Sequence, residues 1–170
     1  MSHPALYDDD ILLWSEQQAD VLRRIARTRR DLPNELDLEN VAEEIESVGR
    51  SELAAAESQL QNILVHLIKL SSEPDSSAVR HWRAEMVGFH AEFLRRYAPS
   101  MRQRLDVDKI WRLARRLVLL SLPEDSEMAG FLPEHSLVPL ESLLAEEIDP
   151  AALAHALRRQ AMARDPGPPE

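Results

Sequence analysis

Apolar residues along this chain of 170 residues recur at steps of three and four, and no segment alternates with period two. That pattern predicts α-helices and no β-sheet. A first helix starts at Asp8, Asp9 or Asp10, whose carboxylates can cap free N–H groups, and runs to about Arg30 before Asp31-Leu32-Pro33 stops it. Its inward stripe reads Ile11, Trp14, Val21, Leu22 and Ile25, with Gln18 in the middle. A buried amide without partners costs on the order of 1–3 kcal/mol, so Gln18 is expected to bond to another helix or a backbone group as a structural polar lock. Asp37 reads as the N-cap of a second helix with Leu38, Val41, Ala42, Ile45 and Val48 inward, and Gly49 as its C-terminal stop or a kink. From Ser51 a longer helix places Leu53, Ala56, Leu60, Ile63, Leu64 and Leu67 on one side, ending in a polar loop at residues 71–77.

The next helix carries Trp82, Met86, Phe89, Phe93 and Tyr97, an aromatic stripe at helical spacing that reads as core. His90 lies on that side and is expected to be a neutral core imidazole with one hydrogen-bond partner. Ala98-Pro99-Ser100 interrupts the pattern, because proline disfavours helix at the residue before it. A broad apolar face at Val107, Ile110, Trp111, Ala114, Leu117 and Val118 predicts a central helix. Residues 123–139 form a loop-rich passage with three prolines, followed by a short amphipathic piece at 140–147 and a last helix from Pro150 to about Arg164. The expected architecture is all-α, a single-domain bundle of five to seven helices over residues 1–163 with a disordered proline-rich tail at 164–170.

Composition narrows the chemistry. A chain of this length buries roughly 70% of its unfolded surface and stands on a hydrophobic core without staples. Without cysteine there is no disulfide, thiolate metal site or Cys nucleophile, which suits a reducing cytoplasm. The N-terminus is acidic and lacks the basic and apolar parts of a secretory signal, and the longest apolar run, residues 63–70, is broken by His66 and Lys69. No membrane span is expected. Thirty acidic against twenty basic residues give a net charge of −10, which repels phosphate backbones. Two basic groups, Arg23, Arg24, Arg27, Arg29 and Arg30 and then Arg112, Arg115 and Arg116, read as cations complementing helix C-termini and acidic neighbours rather than as a nucleic-acid surface. Four glycines leave no phosphate loop, and no serine sits in a nucleophile setting.

The one acidic concentration lies at residues 36–69. On a helix from Leu38, Glu39, Glu43 and Glu46 share one flank at steps of four and three, while Glu44 projects from the other. Stacked carboxylates repel unless solvated, paired with arginine or bound to a cation. The Glu-x-x-His pair of di-iron bundles does not occur in the sequence. His66 lies about 30 Å from Glu46 along a continuous helix, and a hairpin at Gly49 does not bring it onto the glutamates either. On its own helix His66 falls nearer Gln59, Asn62 and Lys69 than the apolar face, so a partly exposed polar residue is expected.

Several segments together resemble the bacterial family known as domain of unknown function 29. They are Tyr7-Asp8-Asp9-Asp10 with Trp14 and Gln18-Ala19; residues 38–50 from Leu38-Glu39-Asn40 to Val48-Gly49-Arg50; His66-Leu67-Ile68-Lys69; Pro74; Trp82-Arg83; Pro99-Ser100; and Leu132-Pro133. The resemblance implies a helical fold and no assigned activity. Leu70 and Ser136-Leu137-Val138 stand where relatives tend to carry Trp and a Cys-Pro-aromatic step. Its typical polar positions nominate Glu43, Glu44, Glu46, His66, Lys69 and Arg83 as a candidate functional surface, with Gln18 and Asn40 structural. The expected role is a non-enzymatic protein-interaction or regulatory module with a protein partner, a second copy of the chain included. The alternative is a metal-assisted hydrolase or nuclease with a divalent ion on Glu43, Glu46 and His66, the histidine acting as base.

Overall fold

Aspartates cap four of the helices. The structure, a computed structural model, describes residues 4–29, 31–122 and 132–163. Among them are six α-helices and no strand: α1 (Pro4–Asp9), α2 (Ile11–Thr28), α3 (Leu38–Ser72), α4 (Val79–Arg96), α5 (Val107–Leu119) and α6 (Pro150–Met162). Asp10 accepts from the Leu13 N–H at 3.0 Å, Asp37 from Asn40 at 3.1 Å, Asp106 from Lys109 at 2.9 Å and Asp149 from Ala151 at 2.9 Å. Each bond satisfies a donor that the helix itself leaves open and sets a negative charge at the positive end of the macrodipole. Pro99 and Pro150 occupy first-turn positions, of a 3-10 turn (Pro99–Gln103) and of α6, where a missing N–H costs nothing.

Several boundaries differ from expectation. The first helix is two, since α1 precedes the Asp10 cap and α2 ends at Thr28. The helices expected on either side of Gly49 are one unbroken helix, α3, with Gly49 inside it. The short piece after Pro139 is a 3-10 turn (Leu140–Leu143), and the last helix stops at Met162. Residues 123–131 of the predicted loop, Arg164 and the rest of the expected tail lie outside the described residues.

The chain divides into two compact units, residues Met1–Ala56 with Arg96–Leu105, and Glu57–Arg95 with Asp106–Glu170. In the first, α2 and the leading part of α3 pack through small residues. Leu12, Ser15 and Ala19 are the buried positions of α2, and Ala42, Gly49 and Ala56 recur every seven residues on α3, all buried. The predicted stripes leaned on large side chains instead; Val21, Val41 and Val48 are exposed at 37%, 39% and 45%. Gly49 explains the shift, because a Cβ there would stand 2.1 Å from Ser15 Oγ and 3.1 Å from Leu12 Cα. Ser15 tolerates burial because its hydroxyl donates to the Leu12 carbonyl at 2.9 Å. Asp10, 5% exposed, also accepts from the Ser100 N–H at 2.9 Å and the Ser100 hydroxyl at 2.7 Å, which ties the Pro99–Gln103 turn to the start of α2.

In the second unit the core is larger and apolar. The trailing part of α3 buries Leu60, Ile63, Leu64, Leu67, Ile68 and Leu70, joined by Met86 and Phe93 of α4 and Ile110, Trp111, Ala114 and Val118 of α5. The connection before α6 is anchored by polar bonds: Trp111 Nε1 donates to the Pro133 carbonyl at 2.9 Å and Arg115 Nε to that of Leu132 at 2.9 Å. His90, 3% exposed, lies in the core as expected, with Nε2 3.1 Å from the Leu143 carbonyl.

Gly49→Ala separates packing from propensity. Propensity alone predicts a gain of about 1 kcal/mol for alanine in a helix, whereas overpacking costs about 1–3 kcal/mol. A lower urea midpoint is expected, partly restored by Ser15→Ala in the same chain; a rise in midpoint would remove the close-approach argument. Asp10→Ala is expected to cost roughly 2–3 kcal/mol in the same assay, since it removes a cap and leaves the Ser100 N–H without its acceptor. A loss within the scatter of surface substitutions would contradict that role.

Candidate functional site

The nominated glutamates are engaged by arginines. In the first unit Arg23 Nη2 reaches Glu46 Oε2 at 2.5 Å and Glu43 Oε2 at 3.4 Å, while Arg50 reaches Glu43 Oε1 at 2.5 Å and Glu46 Oε2 at 3.5 Å. Two carboxylates therefore share two guanidiniums, one from α2 and one a turn further along α3. The Arg23 bond holds the Glu46 carboxyl below the usual glutamate range, and the Glu46 bond raises the Arg23 guanidinium above its ordinary value. Glu44 is exposed on the other flank, where its backbone carbonyl accepts from the Ser47 hydroxyl at 2.8 Å. Asn40 donates to its own cap, Asp37, at 2.5 Å. Gln18 is half-buried, and among the described residues no hydrogen bond reaches its amide.

His66 belongs to another setting. It is buried, against the expectation of partial exposure, at 9%. Nδ1 lies 2.8 Å from the Asn62 carbonyl and Nε2 lies 2.9 Å from Glu85 Oε2 on α4, with the ring 5.1 Å from that of Phe89. Both ring nitrogens face oxygen atoms, one a backbone carbonyl and the other a carboxylate. Glu85 Oε2 is also 3.2 Å from His81 Nε2, which places one carboxylate between a buried and an exposed imidazole. Sequence reading missed Glu85 and His81. Their i,i+4 spacing on one helix was the available signal.

Lys69 stands 5.7 Å from the centre of the Trp82 ring, a cation–π contact. Arg83 borders a cavity of about 280 Å³ with Leu70, Val79, Ala151, His155 and Arg158. The six nominated surface residues thus part company: Glu43 and Glu46 join an arginine-bound quartet, His66 a histidine–carboxylate line and Arg83 a cavity wall, while Glu44 is exposed and Lys69 lies over Trp82. Twenty residues of unbroken helix separate Glu46 from His66. Among the described residues no three His, Asp or Glu side chains are grouped to hold a metal ion. No described helix is long and apolar enough to cross a membrane.

Comparison with known proteins agrees with this all-helical picture. No curated protein matches the chain. It is similar to an α-helical protein of unknown function from Rhodospirillum rubrum, a crystal structure, with 37% sequence identity and a TM-score of 0.79 over 89% of this chain and 96% of that one. A family model described as domain of unknown function DUF29 matches residues 6–148, a span that holds α2 to α5 and every nominated residue, and the chain belongs to that family.

Proposed function

We propose that this protein is a non-enzymatic interaction module that receives an acidic amphipathic helix on the outer face of α5. The observation that carries the reading is an exposed leucine stripe on that helix. Leu113 and Leu117 of α5 and its C-cap Leu120 are 46%, 43% and 78% exposed at steps of four and three, flanking the side on which Ile110, Trp111, Ala114 and Val118 are buried. Lys109, Arg112 and Arg116 run beside the leucines on the same outer face, all exposed. An apolar ridge edged by cations, on a chain of net charge −10, is complementary to a helix with apolar residues on one face and carboxylates next to them.

The acidic signature of α3 supports the same reading from the other side. Glu43 and Glu46 are bound to Arg23 and Arg50, which gives these carboxylates a role in joining α2 to α3 without any reaction. A hydrolytic metal would have to displace both guanidiniums.

The probe for docking is a synthetic 18-residue amphipathic helix with leucines at i, i+3 and i+4 and glutamates elsewhere, compared by calorimetry with its lysine counterpart. The glutamate peptide is expected to bind and the lysine peptide to fail. Arg112→Glu with Arg116→Glu is expected to weaken binding by about tenfold or more, and Leu117→Ser by a similar factor. Equal binding of the two peptides, or no effect of the charge reversals, would overturn the proposal.

The quartet has its own pH signature. A carboxyl held below its ordinary value contributes stability that is complete above the unfolded value of about 4.3 and is lost as pH falls through the folded value. Glu46→Gln should lower the urea midpoint at pH 7, and the gap between variant and parent should narrow at pH 3. An unchanged difference between the two pH values would show that Glu46 contributes nothing through its charge.

A further inference from the structure

We propose that the cavity between the end of α3, the start of α4 and α6 binds a small carboxylate with an apolar body. Its volume, about 280 Å³, sits at the lower edge of small-molecule sites. Leu70, Val79 and Ala151 give it apolar walls, and its polar side chains are Arg83, His155, Arg158 and Ser71; among the described residues no Asp or Glu lines it. In a chain carrying thirty acidic residues, a wall with two guanidiniums and no carboxylate is a local reversal of charge.

Several arginines elsewhere in the protein have carboxylate partners. Arg23 and Arg50 hold Glu43 and Glu46, Arg96 holds Glu52 at 3.0 Å, and Arg104 holds Glu16 at 2.8 Å. Arg83 has no ion pair among the described residues. Arg158 is half-buried and donates through Nη1 to the Ser71 carbonyl at 3.2 Å. That bond satisfies a carbonyl in the last turn of α3 and fixes the guanidinium at the cavity wall, using one of its five N–H groups. Arg83 and Arg158 together offer the planar donor geometry that carboxylates accept in pairs. The apolar walls set the rest of the ligand, since inorganic phosphate would leave them in contact with water or with nothing. Ser71 is 1% exposed and its hydroxyl is already bonded to the Ile68 carbonyl at 2.8 Å, so it shapes the wall without serving as a donor to the ligand.

The test uses the full chain, with amide shifts followed by NMR as hexanoate, hexan-1-ol or inorganic phosphate is added up to on the order of 10 mM. Hexanoate is expected to bind saturably, with shifts concentrated at residues 70–79, Arg83 and residues 151–158. Hexan-1-ol should bind at least about tenfold more weakly, and phosphate should not saturate. Arg83→Gln, at an exposed position, should weaken hexanoate by about tenfold. Ala151→Leu should abolish binding by filling the space while both arginines remain; matching circular dichroism spectra verify that both variants fold. The proposal is overturned by any of four results: no saturable hexanoate shift at these residues, equal binding of hexan-1-ol, phosphate binding as tightly as hexanoate, or an unchanged affinity in Arg83→Gln.

Discussion

A 35-residue helix carries a glycine a third of the way along and stays unbroken, and at that glycine its neighbour comes too close to admit a side chain. Gly49 leaves room that Ser15 Oγ and the Leu12 backbone occupy, and a methyl group would meet both. The helix loses some intrinsic propensity at that position and gains close packing with α2. Ala42 and Ala56, one heptad to either side, extend the same low relief along α3. The ion pairs of Arg23 with Glu43 and Glu46 depend on that approach, since they span the same two helices.

The chain's acidity has structural uses that make it less suggestive of catalysis than it first looks. Four aspartates cap helices, and one of them, Asp10, also holds the Pro99–Gln103 turn. Asp108 accepts from the Ser136 N–H at 2.9 Å, which lowers its pKa and fastens the segment after Leu132 to α5. Glu85 lies between His66 and His81. Arg116 on the outer face of α5 and Arg83 at the α6 cavity form no ion pair among the described residues.

Helix type and most core positions in the second unit were legible in the sequence, because Leu60, Ile63, Leu64, Leu67, Phe93 and Trp111 are large and periodic. The first unit was harder to read. A core built from Ser15, Ala19, Ala42 and Gly49 carries almost no hydropathy signal, so the valines beside it looked like the inward face and are exposed. Gly49 was read through its propensity, which is local, whereas its role is set by a residue 34 positions away in sequence. His66 was misplaced for a similar reason: its surroundings are decided by Glu85 and Phe89 on the next helix, which no spacing on α3 reports. Of the glutamate flank, Glu43 and Glu46 share arginine partners, a pairing that was among the named options. Arginines from two helices supplied that pairing.

The central claim is that the acidic signature of α3 is a clamp between helices. A double-mutant cycle on Arg23 and Glu46, read as urea stability in low salt, tests it most directly. The account predicts that Arg23→Gln with Glu46→Gln is less destabilised than the sum of the single variants, with the coupling shrinking in high salt. Additive losses with no dependence on salt would contradict it.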